Sequence, residues 1–299
     1  MIAIILVNWK NYDDTHDCLQ SLDLLDHTPT KIIVVDNESQ EKKAAHLLKM
    51  FPNIILLPQV INLGFTGANN IGIQHALDLD VPYIMLLNND TVVTSDFIRP
   101  LLTTLDASDD IGAVQPKILF FDAPHKIWNA GGLIQPFITY TKTIGFRKIN
   151  SSQYDGIKEV DWITGCCILL KSEVVRAVGL LDDRFFAYYE DVDWSLRIRN
   201  KGYRLLCCAD APIYHKVSAS SIHETKTADG YLSPFVHFLN IRNHVFLVRL
   251  HSKGINAMLS HLYLLLKITG YVVYFSLRRR NKKLKMSLKG FIEGYKTPL

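Results

Sequence analysis

With 299 residues, 48% of them hydrophobic, the chain can bury a large core and is not a disordered polypeptide; it suits one large α/β domain, or a domain plus an extension. Its 33 basic and 29 acidic residues leave a net charge of +4, too small to mark a nucleic-acid-binding protein, although the basic residues crowd the last quarter of the sequence. Five cysteines, including the adjacent pairs Cys166/Cys167 and Cys207/Cys208, follow no metal-ligand spacing and read as small buried hydrophobes in a reducing compartment, without a zinc site or disulfides.

The first ten residues, MIAIILVNWK, lack the basic start and cleavage site of a secretory signal, so a strand is expected at once, over Ile2 to Val7. A helix is expected over Thr15 to Leu25, where Cys18, Leu22 and Leu25 share a face. Strands then read at Lys31 to Asp36, Ile54 to Pro58 and Tyr83 to Leu87, and helices at Glu41 to Met50 and Gly67 to Leu79. This strict alternation implies a doubly wound, mostly parallel sheet. Further on, a helix is expected over Asp96 to Leu105, a strand over Gly112 to Phe121, and a hairpin or loop insertion over Trp128 to Arg147. A strand over Trp162 to Lys171, helices over Ser172 to Val178 and Asp191 to Asn200, a stop at Gly202 and a last strand over Tyr203 to Cys208 complete the sheet region, which places His215 on a loop.

Four stretches carry chemistry. Tyr83 to Val93 (YIMLLNNDTVV) is an apolar run that ends in Asn88, Asn89 and Asp90, the pattern of a central strand delivering polar groups to its carboxyl end, where open α/β sheets bind ligands. A carboxylate there can hold a divalent cation that bridges two phosphates; a plain Asn/Asp turn would read the same way. Asp36 ends another apolar strand and can meet a base imide N–H or a ribose hydroxyl, or serve as a turn or cap. Asn62 to Gly72 (NLGFTGANNIG) puts Gly64, Gly67 and Gly72 around a helix start, open to an anionic or hydroxyl-rich ligand or to close packing, but it matches neither a dinucleotide fingerprint nor a P-loop. Phe185 to Arg197 (FFAYYEDVDWSLR) sets Glu190, Asp191 and Asp193 in a first helical turn behind four aromatics, where an ionised carboxylate can act as a general base or merely cap the helix.

Taken together, VVDN at Asp36, NLGFTGANN, LLNND at Asp90 and YYEDVDW at Asp191 resemble family 2 glycosyltransferases of the GT-A fold, in particular the rhamnosyltransferase-like branch that builds bacterial surface polysaccharides, over roughly Ile2 to Ser221. The resemblance implies a catalytic domain over residues 1–221 and a C-terminal helical extension over 222–299. It implies a nucleotide diphosphate sugar donor, dTDP- or UDP-linked, contacted through Asn8, Asp36, Asn62, Gly64, Gly67, Asn69, Asn88 and Asn89. Mg²⁺ or Mn²⁺ would sit on Asp90 and His215, Asp191 would be the base, and Trp128, Gly131, Gly132, Glu190 and Trp194 would lie on the acceptor side. Asn88 stands where the first aspartate of the D-x-D motif is usual, which removes one ligand charge. The Q-x-x-R-W signature of processive members is missing, so one sugar would be added, with inversion, to a glycan or polyprenyl-linked hydroxyl. A sugar-phosphate nucleotidyltransferase is the enzymatic alternative, although LVNWKNY at Leu6 to Tyr12 has no glycine for a triphosphate loop; a non-catalytic nucleotide-sugar-binding assembly subunit is the other.

Beyond Phe235 the pattern turns to long helices. Ile255 to Leu277 is apolar except for a seam at Asn256, Ser260, Tyr263, Lys267, Tyr271 and Tyr274, and RRRNKKLK follows from Arg278 to Lys285. The expectation is an in-plane helix on an anionic membrane surface, which would make the protein cytoplasmic and peripheral on the inner face of the cell membrane. The same apolar face would also serve a helical pair packed on the catalytic domain or a homo-oligomer contact.

Overall fold

The computed structural model describes the chain except for His27, Pro136, residues 218–221 and residues 228–229. Two compact units emerge: Met1–Leu133 with Thr143–Asp183 and Glu190–Val217, and Ile134–Lys142 with Arg184–Tyr189 and Ser218–Leu299. The boundary expected between residues 221 and 222 falls at the edge of a stretch outside the described residues.

The first unit opens with β1 (Ile2–Asn8), α1 (Tyr12–Leu22), β2 (Thr30–Asp36), α2 (Glu41–Met50), β3 (Ile55–Pro58), α3 (Gly64–Asp78) and β4 (Tyr83–Asn88). It continues through β5 (Thr91–Val92), α4 (Ile98–Leu105), β6 (Ile111–Phe120), β7 (Ile127–Asn129), β8 (Gly132–Ile134), β9 (Thr141–Thr143), β10 (Ile157–Val160), β11 (Cys167–Lys171), α5 (Ser172–Val178), α6 (Glu190–Asn200) and β12 (Arg204–His215). Among the described residues these strands build a ten-stranded sheet in the order β10-β12-β6-β11-β4-β1-β2-β3, with β5 on β12 and β7 on β6; β8 pairs with β9 separately. Strands β3, β2, β1 and β4 are parallel, as the alternation requires, and so are β6 and β12, whereas β11 runs antiparallel to both neighbours.

The alternation of side chains along β1 explains the two helical layers. Ile2, Ile4 and Leu6 join a buried cluster with Cys18, Leu19 and Leu22 of α1 and Leu101 and Leu105 of α4, while Ala3 and Ile5 join Ala68, Ile73 and Ala76 of α3 on the opposite face. Burying each such Ile or Leu contributes about 1.5–3 kcal/mol.

Several boundaries differ from expectation for identifiable reasons. Helix α1 starts three residues early because Asn11 caps it, accepting from the Asp14 N–H at 3.4 Å. Trp162 makes only an isolated bridge with Gly132, and residues 163–166 are not strand. Their N–H groups go to side chains instead, Ile163 to Ser195 Oγ, Thr164 to Gln115 Oε1 and Gly165 to Asp191 Oδ2. The last strand does not stop at Cys208 but shifts register between Cys208 and Ile213 and resumes, so His215 ends a strand rather than lying on a loop. Edge strand β10, exposed along most of its length, had no apolar alternation to announce it.

In the second unit β13 (Ile222–Thr227) pairs with β14 (Gly230–Leu232), followed by α7 (Pro234–His251), α8 (Gly254–Leu277) and α9 (Asn281–Lys296). Small residues let α9 approach α7: a Cβ at Gly290 would lie 2.4 Å from the Phe238 carbonyl oxygen. The polar seam of α8 turns largely inward, with Lys267 Nζ 2.9 Å from His244 Nδ1 and Ser260 Oγ accepting from the Thr139 N–H. Ile255, Met258, Leu262, Leu265, Leu266, Val273 and Leu277 are exposed instead, Leu277 at 79%. By length and composition α8 could cross a membrane.

Helix α3 sits so close to β1 that a Cβ at Gly72 would meet Ile5 Cγ2 at 2.4 Å. Gly72→Ala is expected to destabilise the protein by about 1–3 kcal/mol through overpacking. Urea unfolding measures this, and an unchanged midpoint would contradict the packing account.

Candidate active site

The strand directions bring the candidate residues to one edge of the sheet. Strands β1, β2 and β4 end there in Asn8, Asp36 and Asn88, with Asn8 opposite Asp36 and Val7 opposite Asn88. Because β11 is antiparallel to β4, its amino end reaches the same edge, and the Asn88 N–H donates to the Cys166 carbonyl at 2.8 Å. Strand β6 is antiparallel to β11 and parallel to β12, so the carboxyl end of β12, with His215, arrives there too. Five strand ends remote in sequence thus converge on the carboxyl edge, the ligand side of open α/β sheets.

Asp36 is fully buried. Its Oδ1 accepts from Asn8 Nδ2 at 2.6 Å, and its Oδ2 accepts from the Tyr12 hydroxyl at 2.8 Å and from Ser39 Oγ. Thr15 Oγ1 donates to Asn8 Oδ1 at 3.0 Å, and Asn89 Nδ2 donates to Thr15 Oγ1 at 2.8 Å, so Asn8, Asp36 and Asn89 belong to one network. Asn62 Oδ1 accepts from Asn37 Nδ2 and from the Gly64 N–H, closing the turn into α3, where Gly64 takes φ +75°, the left-handed region that glycine tolerates. Asn69 is buried and donates back to the Phe65 carbonyl, and Gly67 packs against Leu63; both support the turn from within.

Asp90 Oδ1 lies 3.0 Å from His215 Nε2, and the indole of Trp128 stands edge-on to that imidazole at 4.4 Å. His215 Nδ1 is buried without a hydrogen-bond partner among the described residues. Beside them Lys216 Nζ holds Asp14 and Asp17.

Asp191 is anchored by two backbone N–H groups, Gly165 to Oδ2 at 2.9 Å and Val192 to Oδ1 at 2.8 Å. Burial pushes its carboxyl above the ordinary aspartate range against the opposing pull of these donors. Glu190 is raised well above its usual value, first by burial and then by the charge of Asp191, and its Oε2 is buried with no partner among the described residues. Neighbouring buried carboxyls do not both ionise readily, so the proton rests on Glu190 and the charge on the hydrogen-bonded Asp191. The Cys166 thiol is pushed far up, by burial foremost, with Asp90 and Asp191 both adding to the effect. Gly165, which holds Asp191, directly precedes Cys166, whose carbonyl accepts from the Asn88 N–H, so the two carboxylate-bearing segments are tied to neighbouring residues. A Cβ built at Gly165 would lie 3.1 Å from the Phe65 ring, which ties the α3 turn to the same place.

The acceptor-side expectations divide. Trp128 and Glu190 lie at this edge, but Trp194 is buried in the core with its Nε1 on the Gly179 carbonyl, among the apolar residues that include Val174 and Ile198. Gly131 takes φ +99°, and Gly132 packs flat against the Trp162 indole, so their evident roles are backbone shape and close approach. Tyr12, Thr15, Asn37, Ser39, Thr164 and Gly165 hold the site and were not singled out from sequence. Gly165 within WITGCC was the available signal, since an isolated glycine in an apolar run often marks close backbone approach.

Comparison with known proteins agrees with this geometry. The chain is 25% identical over 236 residues to the low-salt glycan biosynthesis hexosyltransferase Agl10 of Haloferax volcanii, covering 77% of this chain and 71% of that one. It is 24% identical over 244 residues to the N-acetylglucosaminyl-diphospho-decaprenol L-rhamnosyltransferase of Mycobacterium tuberculosis, covering 74% and 78%. Among solved structures, the mannosyltransferase PcManGT of Pyrobaculum calidifontis, a GT-A enzyme in complex with GDP-Man and Mn²⁺, superposes with a TM-score of 0.57 at 12% identity over 98% of this chain and 86% of that one. The model of glycosyl transferase family 2 matches residues 3–177, so the chain belongs to that family and is a glycosyltransferase of the GT-A fold.

Proposed function

We propose that the protein is an inverting, non-processive, metal-dependent glycosyltransferase that moves a sugar from a dTDP- or UDP-linked donor to a hydroxyl of a glycan or polyprenyl-linked acceptor in cell-surface polysaccharide synthesis. The observation that carries this reading is the shared edge at which adjacent residues meet both halves of the site: Gly165 donates to Asp191, and Cys166 accepts from Asn88, which leads into the Asp90–His215 pair. The rhamnosyltransferase named above acts on a diphospho-decaprenol acceptor, which supports a lipid-linked acceptor here.

Uracil or thymine is recognised through Asp36 and the groups it orients, Asn8, Tyr12 and Ser39. The Asp90–His215 pair offers a divalent cation a carboxylate and an imidazole 3.0 Å apart, with His215 Nδ1 buried and otherwise unpartnered; no third such ligand joins them among the described residues. A two-ligand protein site suits a metal that takes its remaining ligands from donor phosphates and water. When bound, Mg²⁺ or Mn²⁺ neutralises charge on the diphosphate leaving group. Asp191, kept ionised by the Gly165 and Val192 N–H groups, takes the proton of the acceptor hydroxyl as that oxygen attacks the anomeric carbon. One displacement inverts the configuration.

The second unit supports membrane association. The exposed apolar residues of α8 are followed by exposed Arg278, Arg279, Lys282 and Lys285, the combination that an anionic lipid surface accommodates.

Asp191→Asn should lower turnover by about 10²-fold or more with donor affinity unchanged. Since the raised carboxyl must lose its proton to act as a base, wild-type kcat should rise with pH through a limb above the ordinary aspartate range. Full activity in the variant would remove the base. Mn²⁺ added with UDP or dTDP should raise the melting midpoint of the wild type but not of Asp90→Asn, because only ligands bound to the folded state stabilise it; equal shifts would remove Asp90 from the metal site. The full-length protein should float with anionic vesicles and not with zwitterionic ones, and the triple change Arg278→Glu, Arg279→Glu, Lys282→Glu should abolish flotation; protein left unbound by anionic vesicles would refute the membrane reading.

A further inference from the structure

The six residues before α6 hold an arrangement that nothing above accounts for. Phe186, Tyr188 and Tyr189 take φ values of +64°, +71° and +70°, in the left-handed region that bulky aromatic residues rarely occupy. Such a backbone persists only where its surroundings enforce it, and here four residues of α7 do so. Asn243, completely buried, places its Nδ2 within 2.8 Å of the carbonyl oxygens of Phe185, Ala187 and Tyr188. Arg242 Nη2 donates to the carbonyls of Arg184 and Phe185, each at 2.9 Å. Its Nε donates to Asn243 Oδ1 at 2.9 Å, which fixes the amide with its N–H groups toward the loop. The rings add to this: Tyr189 stacks on His244 with centroids 5.3 Å apart, and Phe185 meets Phe246 edge-on at 5.8 Å.

The targets of these side chains are main-chain carbonyls, so what α7 holds is the course of the backbone rather than the identity of its side chains. That backbone runs from Tyr189 directly into Glu190 and Asp191, the first two residues of α6. A peptide relaxing out of the left-handed region at 188 and 189 would rotate the first turn of α6 and draw the Asp191 carboxylate off the Gly165 N–H.

We propose that Asn243 and Arg242 are positioning residues for the reaction, which clamp the strained aromatic segment so that Asp191 enters α6 in the orientation its chemistry requires. This rests on the assignment of Asp191 as the base. It gives the C-terminal helices a part in catalysis separate from any membrane contact, and it explains why a short segment of the chain's middle belongs to the C-terminal unit.

Asn243→Ala and Arg242→Lys test the clamp in the full-length protein, with folding checked by circular dichroism. In Asn243→Ala kcat should fall by about 10- to 100-fold, and in Arg242→Lys by a few-fold, because small misplacements of a reacting group cost rate steeply. The donor KM should stay within about twofold in both. The acid limb of the kcat–pH profile should move to higher pH, since an Asp191 that loses an N–H donor binds its proton more tightly. Wild-type kcat and pH profile in the folded variants would overturn the proposal, as would a loss of rate that leaves the acid limb unmoved. If Asn243→Ala fails to fold, Arg242→Lys decides alone. The two levels of inference separate cleanly: an active Asp191→Asn removes the base whatever the α7 variants do, whereas an inactive Asp191→Asn beside normal α7 variants removes only the clamp.

Discussion

The site depends on one constraint, the antiparallel course of β11 between β4 and β6. In a fully parallel sheet the stretch Thr164–Cys166 would sit at the opposite edge from Asn88 and Asp90, and α6 would have no backbone N–H at Gly165 on which to set Asp191. Reversing one strand brings an amino end to the carboxyl edge, while β6 and β12 still run with β4, so His215 reaches Asp90 at that edge as well. The Gly165–Asp191 hydrogen bond is therefore the local expression of a choice made at the level of the whole sheet.

Around that edge the charges are sorted by their hydrogen-bond partners rather than by burial alone. Asp191 is half-buried and has two backbone donors, whereas Glu190 is buried and its Oε2 has none among the described residues. A carboxylate with donors can keep its charge in a poor dielectric; one without them takes a proton. Burial raises the thiols of Cys18, to about 12, and of Cys166, so both stay protonated and contribute volume rather than reactivity.

The second unit inverts the usual surface rule. Helix α8 buries part of its polar seam, including Ser260 and the Lys267–His244 contact, and leaves leucines, a valine and a methionine outward. Contiguous exposed apolar surface of this kind is the usual mark of an interaction face. Its neighbour α7 meanwhile spends its polar residues on main-chain carbonyls of the segment 184–189, so the two helices carry different tasks within one unit.

Local pattern alone determined a good deal. The apolar runs ending in Asp36 and Asn88, the exact spans of α2 and α5, and the acidic turn at Glu190 and Asp191 are short-range features, set by periodicity and chain punctuation. Tertiary structure decided the rest. Strand direction is invisible in a hydrophobic run, so the reversal of β11 could not be read from WITGCCILLK. Nor could the resumption of β12 after its register shift, which moved His215 from an expected loop to a strand end. Trp194 looked like an acceptor contact beside Asp191 and is core, because its ring packs among apolar side chains and its Nε1 donates to the Gly179 carbonyl, a partner remote from the motif. Which of two adjacent carboxyls keeps its charge depends on a donor from Gly165, 26 residues away in sequence, and the left-handed backbone before α6 depends on Asn243, more than 50 residues downstream. Periodicity is a local property of the chain, whereas hydrogen-bond partners for buried groups are assigned only when distant segments meet.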